Sequence, residues 1–89
     1  MDELTLIKLT QYAFASLNKG LPKGYVLKAS DEHTVEFYKY DTGKLWQNTG
    51  RPVGFYFESK HTFELRSRYD GNELIIIKGN ELDDAINCL

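Results

Sequence analysis

The sequence predicts an α+β fold: an antiparallel β-meander of about five to six strands, preceded by an amphipathic helix and followed by a short one. Three observations carry that expectation. Between Tyr25 and Lys78 the chain runs in short β-branched and aromatic stretches. The breaks between them read Asp-Glu, Asp-Thr-Gly, Asn-Thr-Gly-Arg-Pro and Asp-Gly, all turn-forming strings. At both ends apolar residues recur at helical spacing. With 89 residues the chain is too short for two independent cores, so residues 1–89 form a single domain.

The first element runs from about Asp2 to Asn18, with Asp2 as N-cap. Leu6, Ile7, Thr10, Ala13, Phe14 and Leu17 make its apolar stripe, with Leu9 at the edge, while Glu3, Lys8, Gln11, Asn18 and Lys19 lie off it. Gly20 is placed to stop the helix, and Pro22 prevents its return. The strands follow. Tyr25 to Ala29 is the first, and Thr34 to Tyr40 the second, joined by Ser30-Asp31-Glu32. Asp41-Thr42-Gly43 forms a three-residue hairpin loop into Lys44 to Asn48. Asn48 to Pro52 is a break, after which Val53 to Glu58 resumes, with Val53, Phe55 and Phe57 on one side and Tyr56 and Glu58 on the other.

Ser59-Lys60-His61 leads into Thr62 to Arg68. A two-residue loop at Asp70-Gly71 would set Leu65 opposite Ile76 and Glu64 opposite Ile77. Leu65, Leu74 and Ile76, beside Phe63, then share one face, and Ile75 and Ile77 mix with Glu64, Arg66 and Arg68 on the other. The closing helix runs from Asn80 to Leu89. Asn80 with Asp83 resembles a capping box, and Leu82, Ala85, Ile86 and Leu89 form its stripe.

Composition narrows the function classes. A hydrophobic share of 42% with 27% charged residues is that of a soluble globular chain and excludes wholesale disorder. The formal net charge of −2 argues against a nucleic-acid binder of the basic-patch kind, and is too weak for a mimic of the DNA backbone. Cys88 is the only cysteine, so there is no internal disulfide. Met1-Asp2-Glu3-Leu4 lacks the basic and apolar regions of a signal peptide, and no run is long enough to span a bilayer. A cytoplasmic location and no membrane partner are therefore expected.

No catalytic set stands out, and neither a cofactor nor a metal is implied. His33 and His61 lie next to turns and show no metal-ligand spacing with each other or with Cys88, which reads as a small packing residue. Glu58-Ser59-Lys60 with Asp41 upstream is similar to the Asp…Glu-x-Lys metal site of one nuclease class, but the helix that should follow it is replaced by a strand. The order helix, strands, helix is similar to that of double-stranded-RNA-binding domains as a pattern of elements only. Asn80-Glu81-Leu82-Asp83-Asp84 would repel a phosphate backbone where those domains grip it.

What remains is a binding surface. Tyr38 and Tyr40 share a face, and Tyr56, Arg66 and Arg68 occupy the corresponding parity on later strands. Aromatics interleaved with arginines suit a macromolecular contact. Trp46 and Arg51 lie in the Lys44–Pro52 stretch, whose composition suits a recognition loop. The sequence thus points to a small non-enzymatic interaction module. It would regulate or inhibit a macromolecular partner (a regulator, an immunity or antitoxin protein, or a phage-encoded inhibitor), with a protein as the expected partner and self-association as a further expectation. The alternative is a binder of a nucleotide or other small phosphorylated ligand, which requires a concave pocket with arginine at its mouth.

Overall fold

The computed structural model describes residues 1–17, 25–41, 44–67 and 73–89, with side chains described outside 39–51, 67 and 73. Helix α1 (Glu3–Ser16) leads into strands β1 (Tyr25–Ala29), β2 (Thr34–Asp41) and β3 (Lys44–Phe57). A 3-10 turn (Glu58–Lys60) precedes β4 (Thr62–Ser67) and β5 (Glu73–Lys78), and α2 (Gly79–Asn87) follows. The strands form one antiparallel sheet in the order β1-β2-β3-β4-β5. This is the α+β meander expected, between a helix at each end.

Both helices pack on the same face of the sheet. Leu6, Leu9, Ala13 and Phe14 of α1 and Leu82 and Ala85 of α2 form one core with Val35, Phe37, Val53, Phe63, Leu65 and Ile77. Helix α1 begins as its sequence dictates: Asp2 accepts from the Thr5 backbone N–H at 2.8 Å and from the Thr5 hydroxyl at 2.7 Å. Leu9 is fully buried, in the centre of the stripe rather than at its edge, while Ile7 is only half-buried. The helix closes at Leu17, and Gly20 and Pro22 lie outside the described residues.

Several local expectations are corrected. The Lys44–Asn48 and Val53–Glu58 runs are one strand, β3, so the described sheet has five strands. The break expected at Asn48–Pro52 is absorbed as two register shifts against β2, between Val35 and Glu36 and between Phe37 and Lys39. Asp41 pairs with Lys44 rather than belonging to a three-residue loop, and Thr42 and Gly43 lie outside the described residues.

The first shift has a consequence for the faces. Val35 pairs with Gly54 and Glu36 with Pro52, which leaves Val53 as an extra residue. Val53 and Gly54 are buried in succession, and alternation restarts one step late. Phe55 therefore faces away from the helices, paired with Glu64, while Tyr56 pairs with Phe63 on the helix side.

The β4–β5 register is one residue away from that of a two-residue Asp70-Gly71 loop. Leu65 pairs with Ile75, Glu64 with Ile76 and Phe63 with Ile77. Because side chains alternate, that single step exchanges the faces of β5. Ile77 is buried and Ile75 packs against the core, whereas Leu74 and Ile76 are 57% and 47% exposed. Asp70 and Gly71 themselves lie outside the described residues.

Finally, α2 starts one residue early. Its N-cap is Lys78, with no side-chain cap, so Asn80 and Asp83 do not form a capping box. Gly79 enters the helix at φ +59°, which glycine adopts without strain. Leu82 and Ala85 are buried as expected, but Cys88 is exposed and packs into no core.

Candidate partner-binding face

The face opposite the helices is set by simple alternation along each strand. One row across it reads Thr34, Phe55, Glu64, Ile76; the next reads Phe57, Thr62, Lys78. Arg66 pairs with Leu74 on the other side of the first row. On β1 and β2 the same face carries Val26 opposite Tyr38 and Lys28 opposite Glu36.

The charges on this face are organised. The Arg66 guanidinium lies 4.9 Å from the Phe55 ring centre and 6.0 Å from that of Phe57, within cation–π range. It donates to Glu64 Oε2 at 2.9 Å, so the carboxylate holds it over the rings. The Tyr38 hydroxyl donates to Glu36 Oε2 at 2.9 Å, and Lys28 Nζ sits 5.5 Å from the Tyr38 ring centre. The bond to the Glu36 carboxylate raises the Tyr38 phenol above its ordinary value of 10.0.

Of the residues singled out from sequence, Tyr38 and Arg66 share this face, and Tyr56 does not. The backbone of Tyr40 pairs with Leu45, that of Trp46 with Lys39 and that of Arg51 with Phe37, but their side chains lie outside the described ones. Arg68 lies outside the described residues altogether. The sequence reading missed Phe55, Phe57, Leu74 and Ile76 as members of the face. The signal for the last two was the unbroken apolar run Leu74–Ile77, which cannot hide both of its sides under helices that lie on one.

Tyr56 belongs to a second cluster, on the helix side, that the sequence did not reveal. Its backbone N–H donates to the His33 carbonyl at 2.7 Å, and the two rings stack with centres 6.3 Å apart at 12°. His61 meets the same ring edge-on, with Nδ1 3.4 Å from the Tyr56 hydroxyl and Nε2 2.7 Å from Asp83 Oδ1 on α2. His33 Nε2 lies 3.6 Å from Glu58 Oε2. His61 holds a left-handed backbone (φ 45°, ψ 55°), uncommon for a residue with a side chain, and its carbonyl accepts from Gly79 N–H at 3.1 Å. The turn before β4 and the start of α2 are thereby tied to each other through both backbone and side chain.

That cluster is an anchor rather than a metal centre: no group of three or more histidine, cysteine, aspartate or glutamate side chains is arranged to hold a metal among the described residues. Asp41 and Glu58, the two acids of the nuclease-like string, sit at opposite ends of β3, since Asp41 pairs with Lys44 and Glu58 follows Phe57. A cleft between α1 and α2 has a volume of about 160 Å³ and is lined by Tyr12, Ile77, Glu81, Asp84, Ala85 and Cys88. It is smaller than typical ligand sites, and carboxylates line it where a phosphorylated ligand would need arginine. Among the described residues no helix is long and apolar enough to cross a membrane.

Comparison with protein-family models, with curated proteins and with solved structures finds no significant match.

Proposed function

We propose that this chain is a non-enzymatic interaction module that binds a protein partner through the open face of its sheet and so regulates or inhibits that partner. The observation that supports this reading is the face that the described helices leave open: Arg66 laid over Phe55 and Phe57, flanked by the exposed Leu74 and Ile76. Arginine and aromatic residues beside aliphatic ones are the composition of contact hot spots. A protein fits better than a nucleic acid, because Glu36 and Glu64 stand on the same face as Lys28, Arg66 and Lys78 and would repel phosphates.

The test is affinity capture from a nuclease-treated lysate with the wild-type chain and with an Arg66→Glu, Phe57→Ser variant, identified by mass spectrometry. Circular dichroism and thermal melting establish that the variant folds. A protein retained by the wild type and lost by the folded variant is the expected result. A captured protein that binds both equally would move the site off this face.

A further inference from the structure

Among the described residues strand β5 ends the sheet, and the register shows which of its backbone groups have no strand partner there. Gly79 N–H donates to the His61 carbonyl, which continues the β4–β5 pairing by one step beyond Thr62 and Lys78. Antiparallel pairs alternate between bonded and non-bonded, so residues 77, 75 and 73 direct their N–H and C=O groups at β4. Leu74, Ile76 and Lys78 direct theirs away from the sheet.

Those outward groups lie on a strand with little protection. Exposed edges are normally guarded by a proline, a bulge or a charge in mid-strand. The other edge strand, β1, has Lys28 near its centre. Strand β5 reads Glu-Leu-Ile-Ile-Ile-Lys, its six residues pair with β4 without a shift, and its charges stand only at the two ends. Leu74 and Ile76, the residues with outward N–H groups, are also the exposed aliphatics of the open face.

We infer that this chain forms a two-fold symmetric dimer in which β5 pairs antiparallel with β5 of a second copy, about an axis through Ile75, to make one continuous ten-stranded sheet. The occupant is argued from the strand itself. With the axis on Ile75, Leu74 lies opposite Ile76 of the second copy and Ile76 opposite its Leu74, and both are bonded pairs. All cross-strand partners in the centre are then aliphatic, and the two exposed aliphatic residues of the strand cover each other. Moving the axis to Ile76 would set Leu74 against Lys78. A parallel copy in register would instead bring the Glu73 ends together and the Lys78 ends together, setting like charges side by side, which the antiparallel arrangement avoids. Both open faces then lie on the same side of the joined sheet, which presents the Phe55–Phe57–Arg66 surface twice.

The geometry makes a specific test. Ile75 and its symmetry mate form a non-bonded antiparallel pair, with Cα atoms about 4.5 Å apart, within the range a disulfide spans. In a Cys88→Ser background, which removes the exposed native thiol, Ile75→Cys is expected to give a covalent dimer on mild oxidation. The unmodified chain, kept reduced, is expected to sediment at twice its 10.3 kDa mass at high micromolar concentration. Ile76→Lys, a change at an exposed position, is expected to return it to a monomer with an unaltered circular dichroism spectrum. Arg66→Glu should leave the mass unchanged, which separates this interface from the partner-binding face. A wild-type monomer up to millimolar concentration would overturn the inference. So would a dimer that survives Ile76→Lys, or one that the Ile75→Cys substitution fails to cross-link.

Discussion

Gly54→Ala offers the sharpest test of how α1 sits on the sheet. A Cβ at Gly54 would lie 2.7 Å from Thr10 Oγ1, 3.3 Å from Val35 Cβ and 3.4 Å from Phe63 Cε2. Thr10 cannot easily yield. It is fully buried, it is β-branched, and its hydroxyl donates to the Leu6 carbonyl at 2.8 Å. Rotating it breaks that bond, and one of the two other staggered rotamers swings the methyl group into the same space. Lifting α1 instead loosens Leu6 and Leu9, both fully buried.

Overpacking of this kind costs roughly 1–3 kcal/mol, and replacing glycine returns roughly 0.4–1 kcal/mol by restricting the unfolded chain. The net loss is about 1.5 kcal/mol, which in a domain of this size lowers the melting temperature by roughly 6–12 °C. Thermal and urea denaturation measure it. Thr10→Ala removes the colliding oxygen, so in that background Gly54→Ala should cost at least about 1 kcal/mol less, a coupling typical of residues in contact, on the order of 0.5–3 kcal/mol. A Gly54→Ala melting point equal to that of the wild type, or the same loss with and without Thr10→Ala, would refute the packing described.

Three further outcomes are expected. At Gly79, with φ +59° and nothing within 4 Å of an added Cβ, Gly79→Ala should lose about 1 kcal/mol from backbone strain alone, and Gly79→Asn less, by urea denaturation. Leu82→Ala, which empties a fully buried position between α2 and the sheet, should cost roughly 2–5 kcal/mol and abolish most of the α2 amide-exchange protection. The Thr5 hydrogen bonds lower the Asp2 carboxyl below its ordinary 3.8, so the folded state binds its proton less readily than the unfolded one. Its contribution is present above that value and is lost as pH falls through the lowered one. Asp2→Asn keeps the cap without the charge, so the melting-temperature gap between wild type and variant should close on acidification.

The element order was legible because each element carries its own local signal: Asp2 capping onto Thr5, a meander of aromatic and β-branched runs, and Leu82 and Ala85 at helical spacing. Which side chain faces which side was less legible, for one reason at two places. Val53 is an extra residue against β2, and the β4–β5 register is one step from that of a two-residue turn. Each displaces alternation by a single residue, and a single residue exchanges the faces of everything that follows. Local propensity does not record such a step, since Phe55 and Tyr56, or Ile76 and Ile77, suit either side equally well. What places Gly54 rather than Phe55 under α1 is the room available beneath Thr10. That is a contact between residues far apart in sequence.

The same steps bear on the partner-binding role proposed for the open face. With Tyr56 turned to the helix side, its polar atoms are taken up by His33 and His61, and Phe55 and Phe57 are left outside. Two aromatic rings facing water carry a cost that Arg66 reduces by lying over them, held in place by Glu64. Glu36 and Lys28 are likewise engaged with Tyr38 before any partner arrives. A surface whose long side chains are already ordered loses less rotamer freedom on binding, and charges that keep their own partners cost less to remove from water. Glu64→Gln tests that argument without touching a core residue. It leaves the fold and the ring pair intact but weakens the hold on Arg66, so affinity for a captured partner should fall several-fold, mainly through slower association if the guanidinium must be reordered. An affinity unchanged by Glu64→Gln, with Arg66→Glu still disruptive, would mean that the charge of Arg66 matters and its prior placement does not.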